Sequence, residues 1–208
     1  MGRPVGRRNA DFEGKRGELA LALSQALLDP EGNPASFAAL AAAAKVSVPT
    51  LKHYFGDHDG AVRAALDAAE RAGAEHLERA RRPGQAKLAR SVRTFATDFV
   101  QGWRLGVGAL VAGALAHGIG HPSRGLAAVE HVLEPTLQAF EARLAVHAER
   151  GELRSGTDLR VAALALISPL LLAMLHQDQL TGARCRPIVV PELVESLVTG
   201  WLEGYRAR

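Results

Sequence analysis

The sequence predicts an all-α protein, and three observations support that prediction. Hydrophobic residues make up 48% of the 208 residues but aromatic residues only 5%, with heavy use of alanine and leucine, which favour helices. Apolar residues recur with helical spacing in one stretch after another. No stretch shows the apolar–polar alternation that is typical of a half-buried strand. We therefore expect about nine helices and no sheet.

The N-terminal sixteen residues carry five positive and two negative side chains, a local charge of +3 that equals the formal net charge of the whole chain. Gly2, Pro4 and Gly6 oppose helix formation, so a flexible basic arm is expected. Such an arm can neutralise phosphates or enter a narrow minor groove of DNA, the alternative being a solvated tail. Its candidate DNA contacts are Arg3, Arg7 and Arg8.

An amphipathic helix from about Phe12 to Leu28 is expected next, followed by two short helices and a tight turn in the stretch Ser36–Phe55. Ser36 and Ser47 stand at N-cap positions before the two short helices. Helices this short must share a core with their neighbours. The arrangement is that of a helix-turn-helix, whose second helix fits a DNA major groove. The alternative is a helical hairpin of an unrelated all-α protein.

A long connecting helix is expected from Asp57 to about Arg81, because Gly56 ends the helix before it and Asp57 is a good N-cap. The sequence Arg-Pro-Gly at 82–84 breaks this helix and marks the expected domain boundary. We expect two domains: residues 1–82 hold the basic arm, the helix-turn-helix and the start of the connecting helix, and residues 83–208 form a second helical domain.

The sequence of the second domain predicts further helices with apolar faces. Pro135 is expected to kink the helix that Ser123 caps, and Asp158 or Thr157 to cap a strongly apolar helix that follows. Pro191 suits the first turn of the last helix. The expected helices are 88–103, 105–117, 123–150, 158–179 and 191–205.

Several other classes of protein are disfavoured by the sequence. Cys185 is the only cysteine, so no intrachain disulfide forms, and a reducing, cytoplasmic setting is expected. No signal peptide is recognised, and the apolar stretches 105–116 and 161–175 are too short to span a bilayer. Dinucleotide, phosphate-loop, nucleophile-elbow and zinc-protease motifs are missing, so neither an enzyme nor a cofactor is expected. His117 and His121, with His131 or His147, form only a weak metal-binding pattern.

The sequence LAAAAKVSVPTLKHYFGDHDGAV at 40–62 resembles the most specific part of TetR-family transcriptional regulators. Members carry an Ile-Ala pair, a Gly-Val-Ser turn, a Thr-Leu-Tyr step, an aromatic-Phe pair and then Lys-Glu and Leu. The later RGELRSGTDLRVAALAL at 150–166 resembles the start of the penultimate helix in many members. This resemblance implies a homodimeric DNA-binding regulator, commonly a repressor, that binds an operator and a small effector.

Three positions depart from the family pattern. Lys45 replaces the usual glycine of the turn and therefore needs a positive φ, or a changed turn. Lys52 stands where tyrosine is common, and His58 stands where lysine is common. The alternative function is accordingly a helical adaptor that retains a helix-turn-helix without specific DNA binding.

The resemblance and the chemistry of the side chains together indicate which residues meet DNA. Ser36 and Ser47 match phosphate-binding positions, and Tyr54 matches a position that often donates its hydroxyl to a phosphate. Val48 and Pro49 suit thymine methyl groups. The remaining candidate DNA contacts are Lys45, Thr50, Lys52, His53 and His58.

Two further sites are expected in the second domain. The last two helices are apolar on more than one face, as a helical dimer interface requires, and the resembling helices of the family form a four-helix bundle between subunits. The interface candidates are Leu164, Leu171, Leu175, Leu193, Leu197 and Trp201. A mostly hydrophobic effector is expected among the middle helices. Its candidate contacts are Phe95, Phe99, Trp103, Val107, Leu110, Leu133, Leu137, Phe140 and Leu170, which could equally fill a core.

Overall fold

The computed structural model describes the backbone of residues 5–208 and the side chains of residues 11–208. Three π-helical turns, Trp103–Val107, Val129–Leu133 and Leu175–Gln179, join or extend α-helices, which gives nine continuous helical segments. Within residues 5–208 no strand forms, although two isolated β-bridges pair Leu28 with Pro34 and Leu153 with Arg206. The all-α prediction and the predicted number of helices are confirmed. The α-helices are α1 (Val5–Ser24), α2 (Phe37–Ala43), α3 (Val48–Phe55), α4 (His58–Arg81), α5 (Leu88–Gly102), α6 (Gly108–Gly118), α7 (Pro122–Ala128), α8 (Glu134–Glu149), α9 (Leu159–Met174), α10 (Gly182–Cys185) and α11 (Val190–Tyr205).

Helix α1 differs from its prediction at both ends. It begins at Val5 rather than near Phe12, so Gly6, Arg7 and Arg8 lie in a helix and not in a flexible arm. A glycine inside a helix costs only about 1 kcal/mol, which the residues around it can offset. The predicted contact Arg3 lies outside the described residues. The helix ends at Ser24, before Leu28, and the Asp29 carboxylate then accepts hydrogen bonds from the backbone N–H groups of Glu31 and Asn33, both at 2.9 Å.

The described residues pack as two compact units. The first unit contains residues 5–73 together with 113–132, so the last turns of α6 and all of α7 pack with the helix-turn-helix. Its core is built from side chains with no solvent exposure, among them Leu23, Leu40, Leu51, Val62 and Leu66. The second unit contains residues 74–112 and 133–208. Its core includes Val92, Phe140, Leu144, Leu166 and Leu170.

The buried guanidinium of Arg143 on α8 organises one end of the second unit. It donates hydrogen bonds to the carbonyl oxygens of Ala80 at 2.6 Å, Ser91 at 3.1 Å and Arg82 at 3.3 Å. The last carbonyl groups of a helix have no partner within the helix, and here a buried cation supplies one at the end of α4. Burial lowers the pKa of Arg143 from its ordinary value.

Two long segments are apolar enough, by length and composition alone, to cross a membrane: Leu88–Gly118 and Leu159–Gln179. Both nevertheless contribute one face to a protein core, as Phe95 does from α5 and Leu166 does from α9. Gly106, with φ 123°, also interrupts the first segment, and Pro169 lies within the second. These features are typical of buried helices in a folded domain.

Candidate nucleic-acid interface

Helices α2 and α3 begin at the serines that the sequence predicts as caps. The Ser36 hydroxyl accepts a hydrogen bond from the backbone N–H of Ala39 at 3.1 Å, and the Ser47 hydroxyl accepts one from Thr50 at 3.2 Å. Pro49 lies in the first turn of α3, where a missing N–H costs nothing. Because each cap satisfies an orphan backbone N–H, both short helices have fixed starting points.

The turn between α2 and α3 places Lys45 in the left-handed region with φ 54°, as its occupation of a usual glycine position predicts. A side chain in this conformation costs about 1–2 kcal/mol. The backbone N–H groups of Lys45 and Val46 both donate to carbonyl oxygens of α2, each at 3.0 Å, so the turn stays hydrogen-bonded. The Lys45 side chain is exposed.

A second tight turn joins α3 to α4. Gly56 ends α3 with φ 79°, and the Asp57 carboxylate accepts a hydrogen bond from the N–H of Gly60 at 2.8 Å, which confirms Asp57 as a cap. A Cβ atom on Gly60 would lie 2.1 Å from the carbonyl oxygen of Phe55. The close approach of α4 to the end of α3 therefore requires glycine at this position.

Helix α3 separates its apolar and polar residues cleanly. Leu51 and Phe55 are buried in the first unit, whereas Pro49, Lys52 and His53 are exposed and Val48 is 41% exposed. No aspartate or glutamate occurs between positions 36 and 56 of the sequence. The exposed face of α3, which we define as Val48, Pro49, Lys52 and His53, thus presents cationic and small apolar groups free of nearby carboxylates on the motif itself.

An aromatic contact holds α1 against α3. The ring of Tyr54 stacks on Phe12, with ring centroids 4.8 Å apart, and the ring of His53 packs perpendicular to that of Phe12, with centroids 5.5 Å apart. Arg16, one turn after Phe12, donates to the carbonyl oxygen of Tyr54 at 3.4 Å and lies over the ring of Phe55. Tyr54 thus combines packing with partial exposure. Phe12 and Arg16 were not predicted as site residues, although their spacing of four residues places both on one face of the same helix.

The remaining predicted DNA contacts lie in different surroundings. Thr50 is half-buried, and its hydroxyl shares a hydrogen bond of 2.8 Å with Ser47. His58 is directed away from the exposed face of α3. Its ring lies 6.2 Å from that of Phe37 and 5.2 Å from that of His117, and its Nε2 atom is buried without a hydrogen-bond partner in the described structure. His58 is therefore half-buried against Phe37 and His117 rather than on the exposed face of α3, and its predicted role as a DNA contact needs correction.

A polar group of side chains, which we call the His117 cluster, surrounds His58. It consists of His58 and Asp59 at the start of α4, His117 near the end of α6, and Ser123 and Arg124 on α7. His117 has no solvent exposure, and its Nε2 lies 2.8 Å from the carbonyl oxygen of Leu27. Asp59 accepts a hydrogen bond from Ser123 and forms an ion pair of 3.0 Å with Arg124.

The cluster shifts the pKa values of its members. Burial lowers the pKa of His117 and of His58, and the nearby Arg124 charge acts in the same direction on each. The hydrogen bond from Ser123 lowers the pKa of Asp59. The neutral histidines and the ionised carboxylate are therefore the favoured forms.

Three side chains in the first unit place potential metal ligands within 4.8 Å of one another: Asp67 and Glu70 on α4, and His131. Their existing partners account for the arrangement, because Glu70 bonds to His131 at 2.8 Å and Asp67 pairs with Arg71. The weak histidine pattern from the sequence does not assemble at this site, since His117 is engaged in its own cluster and His147 bonds to Glu152 at 3.0 Å.

The residues predicted to line an effector site all belong to the second unit. Phe95 and Phe140 are buried and stack with ring centroids 4.3 Å apart, while Val107 is 46% exposed. Trp103 is buried and packs near Phe99, yet its Nε1 has no hydrogen-bond partner in the described structure. Buried or half-buried positions are also found for Leu110, Leu133, Leu137 and Leu170.

The predicted dimer residues divide into surface and core positions. Leu164 is 38% exposed, and Leu171, Leu175, Leu193 and Leu197 are half-buried. The prediction that Trp201 lies in the dimer interface needs correction, because its side chain is buried at 5% exposure. Its indole N–H donates to the carbonyl oxygen of Ala162 at 2.7 Å, so Trp201 holds α11 to α9 within one chain. Exposed apolar residues that were not predicted continue along α9, namely Val161 and Leu172.

Solved structures with the same arrangement of helices include transcriptional regulators. A TetR-family transcriptional regulator from Mesorhizobium loti superposes with a TM-score of 0.74 at 18% identity, over 94% of this chain and 98% of that chain. Salmonella enterica GusR gives a TM-score of 0.68 at 17% identity, over 91% and 94%. The fatty acid degradation regulator FadR from Bacillus halodurans gives 0.65 at 16% identity, over 90% and 94%. No protein-family model and no curated protein sequence matches this sequence.

These likenesses cover nearly the full length of both chains, so the two-part helical architecture is shared as a whole and not only in the helix-turn-helix. The chain has the fold of TetR-family transcriptional regulators.

Proposed function

We propose that this protein, having the fold of TetR-family regulators, is a DNA-binding transcriptional regulator that acts in the cytoplasm. The observation that carries the proposal is the exposed face of α3. A helix that buries Leu51 and Phe55 while exposing Val48, Pro49, Lys52 and His53 offers the groups that read a major groove. A helical adaptor would have no need of a carboxylate-free cationic face on this helix.

The DNA contacts divide by chemistry. Lys45 and Lys52 are exposed cations suited to phosphates or guanine edges, and Val48 and Pro49 suit thymine methyl groups. The Tyr54 hydroxyl is a candidate phosphate donor. Arg7 and Arg8 lie within α1 and are candidates for further phosphate contacts.

The working form is proposed to be a homodimer. One helix-turn-helix meets too few bases and phosphates to find a single genomic site, whereas two heads on paired half-sites supply both affinity and specificity. The exposed apolar residues of α9, Val161, Leu164 and Leu172, fit the interface that such a dimer needs. Leu171, Leu175, Leu193 and Leu197 stay candidates beside them.

We further propose that the protein is a repressor whose affinity for DNA falls when a small, mostly hydrophobic effector binds the second unit. The aromatic residues of that unit supply apolar surface, and the buried Nε1–H of Trp103 without an acceptor offers one hydrogen bond to a ligand.

The test of DNA binding is titration of the intergenic DNA upstream of the protein's own gene at several salt concentrations. Lys52→Ala is expected to lower the affinity several-fold and to reduce the slope of log K against log salt by about 1, because one phosphate or base contact is lost. Lys87→Ala, which removes an exposed charge far along the chain from α3, is the matched control. Equal isotherms for Lys52→Ala and the unaltered protein would show that α3 does not meet DNA.

A further inference from the structure

His117 is locked in one neutral form by its hydrogen bonds. The carbonyl oxygen of Leu27 only accepts, so the Nε2 atom of His117, 2.8 Å away, must carry the hydrogen. The Nδ1 atom of the same ring then presents a lone pair. Arg124 Nη1, which only donates, lies 3.5 Å from that lone pair. The contact with Arg124 therefore requires a neutral ring, whereas the contact with Leu27 requires only the hydrogen on Nε2, which a protonated ring also carries.

The groups around His117 carry mainly positive charge or become positive in acid. Arg124 faces it from α7, His58 from the start of α4, and His121 from the loop before α7. His58 itself faces Arg124 and the carboxylates of Asp59 and Asp57. Of these carboxylates, Asp59 is already paired with Arg124 and bonded by Ser123. No carboxylate in the described structure bonds to His117 itself.

A proton on Nδ1 of His117 would reverse the contact with Arg124. An N–H group would point at a guanidinium N–H group, and a buried cation would stand beside the largely buried Arg124. The hydrogen bond to Arg124 would be lost, and the repulsion would push Arg124 and α7 away from His117 on α6. The ion pair between Arg124 and Asp59 depends on the same placement of α7.

We propose that the His117 cluster is a pH-sensitive set of contacts, here called the latch, that holds residues 113–132 against the helix-turn-helix. Protonation in acid breaks these contacts, and the latch is then open. When it is closed, α3 and α4 hold one orientation. When it is open, the reading helix samples more orientations, and DNA binding must restrict them again at an entropic cost. Acid therefore lowers affinity for DNA. The effect on DNA rests on the function proposed above, whereas the effect on stability does not.

The direction of the stability change follows from the lowered pKa of His117 and His58. The unfolded chain takes up protons at the ordinary histidine pKa, while the folded chain does so only at lower pH. Stability is therefore full above about pH 6.5 and falls as the pH drops from there toward the folded-state pKa values.

The experiment compares the unaltered protein with His117→Gln, which keeps an N–H donor for Leu27 but does not titrate. His76→Gln, at an exposed histidine of α4 outside the His117 cluster, is the matched control. For each protein, the thermal unfolding midpoint without DNA and the Kd for the upstream intergenic DNA are measured at pH 7.5 and pH 5.5 at one ionic strength.

The unaltered protein and His76→Gln are expected to lose about tenfold in affinity on acidification and to unfold at lower temperature. His117→Gln is expected to lose much less of both. An equal acid response in His117→Gln, or no acid response in the unaltered protein, overturns the latch. If none of the proteins binds DNA at pH 7.5, the proposed function fails. The unfolding midpoints alone then test whether the latch exists.

A second measurement covers the case in which His117→Gln does not fold. In the unaltered protein, nuclear magnetic resonance of the imidazole nitrogens gives the tautomer and the titration of His117 directly. The latch requires hydrogen on Nε2 at neutral pH and protonation below the ordinary histidine range. Hydrogen on Nδ1, or an ordinary titration, overturns it.

Discussion

The exposed face of α3 and the His117 cluster use similar cationic side chains in opposite ways. On the exposed face, Lys52 and His53 stand in solvent with no carboxylate between positions 36 and 56 to pair with them. In the cluster, Arg124 is held between Asp59 and His117, and the neutral ring of His117 is out of contact with water. The first group is free to meet an external polyanion, whereas the second is committed to partners inside the chain.

The exposed face of α3 and the His117 cluster should control different properties, namely attraction to phosphates and stability of the folded state. Removing an exposed, solvated charge changes long-range attraction to phosphates but leaves the folded state almost unaffected. Removing a buried, hydrogen-bonded group leaves its partners without water or protein to bond, and the folded state loses free energy. Substitutions in the two regions should therefore change different measurements.

The largest expected effect is that of His117→Leu. The substitution keeps side-chain volume but leaves the carbonyl oxygen of Leu27 and the guanidinium of Arg124 short of a partner, so the free energy of unfolding should fall by about 2–3 kcal/mol. Urea unfolding measures this loss. The slope of log K against log salt for DNA should stay unchanged, because no phosphate contact is removed.

His76→Leu provides the control for that substitution, since His76 is exposed and lies outside the His117 cluster, and its loss should change unfolding by less than about 0.5 kcal/mol. A changed salt slope in His117→Leu would remove the distinction between the two regions.

A smaller effect is expected from Asp59→Asn. The amide oxygen still accepts from Ser123, but the ion pair with Arg124 is lost, and because Asp59 is partly exposed the cost should be about 1 kcal/mol. Urea unfolding of the single variant and of Asp59→Asn combined with His117→Leu tests whether the two act as one cluster. Strictly additive losses would mean that they do not.

The smallest effect is expected from Lys45→Gly, in the turn of the helix-turn-helix. Glycine relieves the left-handed strain at φ 54° but gives up chain entropy, so unfolding should require about 0.5–1 kcal/mol more. If the Lys45 ammonium meets a phosphate, the salt slope should also fall by about 1. Lys45→Asn serves as a control, because asparagine tolerates the same backbone conformation and likewise lacks the charge. No stability gain with either Gly or Asn would argue against relief of strain.

The helix-turn-helix was largely predictable because its signals are local. Caps at Ser36 and Ser47, the helix stop at Gly56 and the positive φ of Lys45 each depend on a few consecutive residues, and all four are present in the structure. The number of helices follows from the same local signals. The start of α1 was missed because the composition of a short basic stretch does not separate a tail from a helix.

The His117 cluster was not predictable, because it joins the start of α4 to residues of α6 and α7 that lie 58 to 66 positions later in the sequence. His58 looked like a substituted phosphate contact, and only its placement beside His117 shows that it lies inside the first unit. Trp201 was similarly ambiguous: helical spacing marks an apolar face but does not say whether that face meets α9 of the same chain or a second chain.

The missing side chain at Gly60 constrains redesign of the helix-turn-helix. Any replacement there would bring a carbon atom to 2.1 Å from the carbonyl oxygen of Phe55, so a substitution in this chain must shift the joint between α3 and α4. Position 60 is therefore a residue that libraries built on this helix-turn-helix should hold fixed.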